Sequence, residues 1–558
     1  MRPKPDKTRA AKVVVPALRQ PAPAWLKPAL LALATLLLLT WFTGEISDTD
    51  FWHHLLTGKL TLKNHALTYP DPFSYTSNMY SPEFPGEART RYFNLTHEWL
   101  AEVAMYAIYV AAGLPGLVLA RALLLLVFCG LAGLMVWWRC GGFYRSLAAA
   151  IAAGGVAINF QQSRPFLATF LFLAITMAIC ERRRWLWALP AVFLIWANCH
   201  GGYFVGWAML GAYCVDGLLR RPPVFDRKLW IVSAVSFLVS GLNPNGFRVI
   251  EIMLRYRSSP IQASVLEWQY TAFWEPSGYS LVLFGALAML WISRRQTRPV
   301  DWILYFAFAA ASILAVRNTI LLGLVGAVVM FALVPLVKRP LPVAAEYGAA
   351  ALIAVGALYG LASGRAFQLH AADWMLPTGA ADFLQAHSVT GRMFNTYENG
   401  SYLVWRLWPM QKDFVDPRGL SEEAWADSRR VLVNDPTPGH TFADISSKYG
   451  FEVMVVSGFD RYSGTVYNIA AALADPSQKE WKLVQSDEKG VVFMRRPPPG
   501  VTPLNSLEAL HSIELQCQQQ VLHDPRHSAC LDGVTNLYKA IGDPNLAARW
   551  MAYLNSRR

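Results

Sequence analysis

Charge is scarce in this sequence: Asp, Glu, Lys and Arg make up only 16% of its 558 residues, against 54% hydrophobic residues. That balance excludes a disordered chain, and the length excludes a small disulfide scaffold. Cysteine is scarce as well. Of seven cysteines, Cys129, Cys140, Cys180, Cys199 and Cys214 fall within or beside apolar stretches, where a thiol behaves as a small hydrophobe. Three catalytic signatures are missing: Gly-x-x-x-x-Gly-Lys-Ser/Thr, His-Glu-x-x-His and Gly-x-Ser-x-Gly. Nucleotide hydrolysis, zinc proteolysis and nucleophile-elbow chemistry therefore have no support. Basic excess is missing from the C-terminal third, where residues 363 to 558 hold 19 Lys+Arg against 21 Asp+Glu. The net charge of +12 thus comes from upstream, at the ends of apolar runs. Such placement marks cytoplasmic loops of a membrane protein rather than a nucleic-acid surface.

What is abundant is apolar sequence in blocks. A basic leader, residues 1 to 24, precedes a first apolar run at 25 to 42, which has no small-residue cleavage site and reads as a retained helix leaving the cytoplasm. Further runs cover 99–112, 116–138, 146–160, 166–180, 185–198, 203–219, 229–242, 279–293, 300–316, 318–336 and 342–362, twelve in all. Four basic clusters set the orientation: Arg182-Arg183-Arg184, Arg220-Arg221 with Arg227-Lys228, Arg294-Arg295 with Arg298, and Lys338-Arg339. They put 198–202, 243–278 and the tail outside. Counting forward from the first run gives the opposite parity, so one run between 98 and 180 is not a span; Gly113-Leu114-Pro115-Gly116 is the expected break.

The reading is a polytopic α-helical membrane protein of about 11–13 spans, with a C-terminal soluble α/β domain and a short helical tail. The membrane module covers 25–362, with a first outer loop at 44–97; an outer α/β domain covers 363–496, and 501–558 is a helical tail of the size of one tetratricopeptide-like hairpin. Within the domain, 391–408 and 451–456 carry strand-like composition, while 381–387 and 442–449 look helical. Cys517 and Cys530 in the tail are either one disulfide or two free thiols.

Polar residues cluster at predicted outer ends of spans. Asp48, Asp50 and His54 open the first outer loop; Asp50 and His54 share a face if the stretch is helical. Two carboxylates and an imidazole at a membrane surface suit binding of a divalent ion or removal of a proton from a hydroxyl, the alternative being helix capping. His97 and Glu98 close the loop, where Thr96, Glu98 and Trp99 also make a reasonable helix start. Asn198 and His200 lie between two runs, as does Arg164, and Arg317 interrupts a near-continuous apolar stretch. Ionisable groups there point to a bound phosphate or to snorkelling at the interface. Residues 246 to 270 are amphipathic, as an interfacial helix would be.

Taken together, Asp48-Thr49-Asp50-Phe51-Trp52-His53-His54-Leu55-Leu56-Thr57-Gly58, Asp71-Pro72-Phe73-Ser74-Tyr75-Thr76, His97-Glu98-Trp99-Leu100, Asn198-Cys199-His200-Gly201-Gly202, Asn395-Thr396-Tyr397-Glu398-Asn399-Gly400-Ser401-Tyr402-Leu403 and Asp416-Pro417-Arg418 resemble a bacterial branch of the GT-C superfamily of polyprenyl-phosphate-sugar-dependent glycosyltransferases. The resemblance covers most of residues 25 to 496 and implies an active site in the first outer loop of a multi-span bundle in the bacterial inner membrane, with the N-terminus cytoplasmic and the C-terminal domain periplasmic. It implies Asp48 or Asp50 as catalytic carboxylate, with His54, His97 and Glu98 as neighbours. Arg164, Asn198, His200 and Arg317 are the lipid-phosphate and substrate candidates, and Asp48 with Asp50 would hold a divalent cation, Mg2+ or Mn2+. Its partners are the lipid membrane, a polyprenyl-phosphate-linked sugar and an acceptor, with no nucleic acid. A non-catalytic scaffold that retains the fold is the alternative; a transporter would carry its ionisable groups at mid-membrane rather than in one outer loop.

Overall fold

A computed structural model describes residues 23–77, 79, 86–335 and 342–556; most of the basic leader and the Lys338-Arg339 cluster lie outside them. The chain opens with helix α1 (Leu26–Phe42), then two helices of the outer loop, α2 (Phe51–Asn64) and α3 (Glu87–Thr96). The bundle continues through α4 (Trp99–Cys140), α5 (Phe143–Ala157), α6 (Leu167–Arg182), α7 (Leu189–Cys199), α8 (Tyr203–Leu219) and α9 (Arg227–Ser240). Two short helices, α10 (Val249–Tyr256) and α11 (Pro260–Ser264), precede α12 (Gly278–Ile292), α13 (Pro299–Leu314), α14 (Thr319–Leu333) and α15 (Val343–Ala362). By length and composition three helical stretches, Glu87–Cys140, Val316–Leu333 and Val343–Ala362, are sufficient to cross a membrane, and shorter apolar helices stand beside them.

One expected pair of runs is a single element. Stretches 99–112 and 116–138 both fall within α4, as two helical segments that meet at a kink at Gly113 (φ 63°, ψ −158°), two residues before Pro115, at the break the sequence places there. Gly113 adopts a backbone that side-chain-bearing residues resist, and Pro115 lacks an amide donor, so regular helix is interrupted there and resumes in a new direction. Among the described residues this leaves eleven long bundle helices, α1, α4–α9 and α12–α15. The amphipathic stretch 246 to 270 is two short helices rather than one, because Pro260 follows an extended Ser259 (φ −74°, ψ 127°).

Beyond the bundle come α16 (Thr378–Ala386), β1 (Met393–Asn395), α17 (Gly400–Leu407), α18 (Glu422–Val433), α19 (Phe442–Tyr449), β2 (Val453–Val456), α20 (Asn468–Ala474), β3 (Lys482–Asp487) and β4 (Gly490–Met494). The sheet order is β1-β2-β4-β3, with β1 parallel to β2 (Met393 opposite Val453) and the other pairs antiparallel. Strands β1, β2 and β4 are buried along their whole length, as their unbroken apolar runs require. One face, with Met393, Val453, Val455 and Val492, shares a core with Phe51, Trp52 and Leu55 of α2; the other, with Phe394, Met454 and Phe493, packs under α18 to α20. The domain is therefore built directly onto the outer loop. Only 393–395 of the strand-like stretch 391–408 pairs; 400–407 is helical because Leu403 and Leu407, four apart, both turn inward. The tail holds three helices, α21 (Glu508–His523), α22 (Cys530–Ile541) and α23 (Pro544–Ser556), and Cys517 is disulfide-bonded to Cys530.

Candidate functional site

The loop after α1 is fixed from several sides. Buried Arg121 of α4 donates to the carbonyls of Phe42 and Gly44 and to that of Gln161, while Ile46 pairs as a β-bridge with Ala371. Asp48 follows, and its carboxylate accepts the Asp50 amide at 3.2 Å. Asp50 precedes α2 at the N-cap position, yet its side chain caps nothing. It faces Arg164 instead.

Arg164 grips both aspartates. Its guanidinium forks onto Asp48 through Nε and Nη2, the latter at 2.5 Å, while Nη1 reaches Asp50 at 2.8 Å and Glu267 at 3.5 Å. A planar fork against a carboxylate is the strongest geometry such a pair has. The Asp48 side chain is 2% exposed and that of Asp50 15%, so Asp48 is locked away and Asp50 is the one open to a ligand. Burial pushes the Asp50 carboxyl up to about 7; Arg164 opposes the rise and Asp48 adds to it.

Helix α2 sits so close to α4 that a Cβ on Gly58 would come within 2.1 Å of the Glu102 carbonyl. Glycine at that point lets His54, one turn earlier, meet Glu102: Nδ1 to Oε1 is 2.9 Å, with Glu98 Oε2 at 3.8 Å. Burial alone would lower the His54 pKa, but the bond to Glu102 and the charges of Glu98, Glu102 and Asp50 raise it above its ordinary value. Its neighbour His53 hydrogen-bonds Ser401 of α17 at 3.1 Å and is held neutral, first by burial and then by the charges of His54, Arg418 and Arg164.

Glu98 is the centre of a second group. His97 Nε2 lies 3.3 Å from its Oε1 and His200 Nε2 3.7 Å. The His97 ring stacks on Phe93 and bonds that residue's carbonyl through Nδ1 at 2.8 Å, which leaves Nε2 turned to Glu98. A helix does start here, as the alternative held: α4 begins at Trp99 with Glu98 in the N-cap position, but the Glu98 side chain caps nothing and faces the histidines instead, while Thr96 bonds Tyr92 and Asn245. At His200, Nδ1 receives the Gly202 amide at 3.0 Å and the Thr169 hydroxyl at 2.7 Å, the latter oriented by the Trp196 indole. Two donors on Nδ1 put the ring proton on Nε2, facing Glu98. Burial drives the His200 pKa down to about 3, against the pull of Glu98.

Among the described residues two His/Glu groups have ligand atoms within 4.8 Å of one another and could hold a metal ion: His53, His54 and Glu102, and His97, Glu98 and His200. Asp48 and Asp50, the pair expected from the sequence, face an arginine instead. Arg317 follows α13, in the short turn before α14. Its guanidinium lies over the Trp268 ring at 4.5 Å, within electrostatic reach of His200, and among the described residues it has no carboxylate partner. Asn198 is occupied by the fold: it donates to the carbonyls of Leu194 and Leu242 and accepts the Trp99 indole at 2.9 Å, fixing the start of α4.

Sequence reasoning missed Glu102, which lies four residues from Glu98 on the same helical face, a spacing that could have found it. It also missed Tyr397 and Tyr462, which the C-terminal domain brings within electrostatic reach of Asp50 and Arg164. No local signal marks those two, because only the tertiary fold brings them there.

No protein-family model matches the chain, and no curated protein matches it in sequence. Solved structures do resemble it. The archaeal oligosaccharyltransferase AglB from Archaeoglobus fulgidus, in complex with an inhibitory peptide and a dolichol-phosphate, superposes with a TM-score of 0.53 at 12% identity, covering 87% of this chain and 77% of that one. The apo form of the Archaeoglobus fulgidus oligosaccharyltransferase gives 0.53 at 12%, with 88% and 78% covered. ArnT from Cupriavidus metallidurans bound to undecaprenyl phosphate gives 0.46 at 15%, with 86% and 99% covered. The fold, on the strength of the oligosaccharyltransferase pair, is GT-C-like: a bundle of apolar helices with a small mixed sheet near the C-terminus.

Proposed function

We propose that this chain is a membrane glycosyltransferase that moves a sugar from a polyprenyl-phosphate carrier to an acceptor on the outer face of a bacterial inner membrane. The observation that carries the reading is convergence: Asp50, His54, His97, Glu98, Arg164, His200 and Arg317, from five separate stretches of chain, meet around two linked acid–imidazole groups. The basic clusters at 182–184, 220–228 and 294–298 support the orientation, with the N-terminus cytoplasmic and the tail outside. The solved relative with a dolichol-phosphate supports the class of carrier.

In this reading Asp50 takes the proton of the acceptor hydroxyl, whose oxygen attacks the sugar C1. The bond from C1 to the phosphate oxygen breaks, the phosphate leaves with the electron pair, and C1 inverts. A carboxyl with pKa about 7 changes state at neutral pH, as a base must. Asp48, locked by Arg164, holds the loop. Arg164 already answers three carboxylates, so of the two arginines Arg317, braced on Trp268 and without a carboxylate, is the one that receives the departing phosphate. His200 turns Nε2 to Glu98 at 3.7 Å, an electrostatic contact beside that carboxylate.

His97 Nε2 and Glu98 fit a divalent cation; His200, with two donors on Nδ1, fits one only after exchanging its tautomer. Such an ion would neutralise phosphate charge, and two protein ligands leave room for phosphate oxygens, as Mn2+ or Mg2+ sites do. The test is turnover by protein in nanodiscs supplied with lipid extract from its host. Asp50→Asn is expected to lower transfer by at least about 100-fold. Turnover by the variant equal to the parent would refute the assignment.

A further inference from the structure

We infer that Tyr462 is a stacking platform for a glycan ring at the mouth of the site, an inference that rests on the transferase reading above. Tyr462 is 69% exposed, whereas Phe459 and Tyr467 on either side are buried. Its backbone is nevertheless held. Asp460 accepts the amides of Tyr462 at 3.1 Å and Ser463 at 2.8 Å, its own amide reaches the Thr465 carbonyl, and Phe459 and Val466 close the turn as an antiparallel bridge.

The turn is wedged between the tail and the catalytic loop. On one side Gly464, at φ +69°, lies so near the tail that a Cβ there would sit 2.2 Å from Ala529, and the His527 ring meets Tyr462 edge-on at 5.5 Å and 85°. His527 is itself tied to Asp524 at 2.7 Å, inside the loop closed by the Cys517–Cys530 disulfide. On the other side Arg461 donates to Gln520 and to the Met375 carbonyl and lies 5.3 Å over Trp374, whose indole donates to Glu45 at 2.9 Å, three residues before Asp48. Tyr462 is within electrostatic reach of Arg164, Asp48, Glu267 and Asp50.

An exposed ring on a braced turn, met edge-on by His527, is what a sugar ring requires. The carbohydrate C–H face is apolar and covers an aromatic ring, while its hydroxyl rim stays available to carboxylates and arginines. Tyrosine has two side-chain torsions to restrain, so stacking costs little ordering entropy. The ring bound there belongs either to the donor sugar or to a glycan acceptor; the chemistry is shared and the kinetics separate them.

The experiment uses the full chain in nanodiscs, with lipid extract as donor and membranes of a deletion strain as acceptor. Tyr462→Ala is expected to raise the half-saturating concentration about three- to tenfold with the maximal rate retained, while Tyr462→Phe stays near the parent. A shift against lipid extract assigns the ring to the donor sugar, and a shift against the membranes assigns it to the acceptor. Unchanged half-saturation in Tyr462→Ala, equal loss in Tyr462→Phe, or loss of maximal rate alone would overturn the platform. Asp50→Asn in parallel keeps the two ideas apart: if it abolishes transfer while Tyr462→Ala changes nothing, the transferase reading stands and the platform falls; if Asp50→Asn changes nothing, the reading itself falls.

Discussion

Replacing Arg164 with methionine removes the one cation shared by Asp48 and Asp50, and the structure sets the size of the effect. Asp48 has a side chain 2% exposed and loses a forked partner at 2.5 Å; Asp50 loses a contact at 2.8 Å. Breaking a buried pair from one side costs about 3–5 kcal/mol, and because Arg164 itself is 21% exposed the low end, about 3 kcal/mol, applies. Asp50 escapes part of that cost by binding a proton. Its folded-state pKa, already raised by burial, loses the opposing pull of Arg164, so the stability it lends is intact in acid and lost as pH rises through the folded value, at up to about 1.4 kcal/mol per unit. Denaturant titration followed by tryptophan fluorescence, in detergent at pH 5.5 and pH 8, reads both quantities. Arg164→Met is expected to be penalised more at pH 8 than at pH 5.5, and Asp48→Asn in the same chain to restore at least about 1 kcal/mol at pH 8. A variant within about 0.5 kcal/mol of the parent at pH 8, or a penalty that grows in acid, would refute the reasoning.

With Asp50 held at about 7, kcat/KM should climb roughly tenfold per pH unit below neutrality and level off above it; Asp48→Asn removes a neighbouring negative charge and should move that limb to lower pH, as a pH–rate profile will show. Calorimetric titration with Mn2+ should find affinity weakened at least about tenfold in Glu98→Gln but changed less than about twofold in His200→Ala, because the His200 proton sits on Nε2. Both Asp413 oxygens are buried without a hydrogen-bond donor among the described residues, and burial with the charge of Asp416 pushes its carboxyl well up, while Arg418 helps hold Asp416 down. The contact of residues 73–75 with 413 therefore loses stability as pH rises through the Asp413 value. Hydrogen exchange at 71–77, corrected for intrinsic rate, should rise with pH in the parent and not in Asp413→Asn; equal pH dependence in both would exclude this role.

The sequence carried the periodic and the local. Apolar blocks marked the bundle helices, and the helical stretches 381–387 and 442–449 were visible because their inward residues recur at helical spacing, the first of them starting three residues earlier, at Thr378. The first outer loop drew attention because Asp48, Asp50, His54, His97 and Glu98 lie within one polar interval, and they do come together. Composition misled at 400–407, where aromatic and β-branched residues imitate a strand but Leu403 and Leu407 repeat every four. Gly113 and Pro115 marked the interruption between 99 and 138, where two helical segments meet at a kink. What no local pattern could supply was charge balance across the fold. That Arg164 meets Asp48, Asp50 and Glu267 while Arg317 lies over Trp268 depends on how α10 to α14 and their loops return to the first loop.

The most direct measurement is mass spectrometry of lipid-linked sugars and surface glycans in a strain whose chromosomal copy carries Asp50→Asn. Accumulation of a polyprenyl-phosphate sugar together with loss of one glycan is the predicted result. Pools indistinguishable from the parent's, with the variant present at parental level in the membrane, would contradict the account.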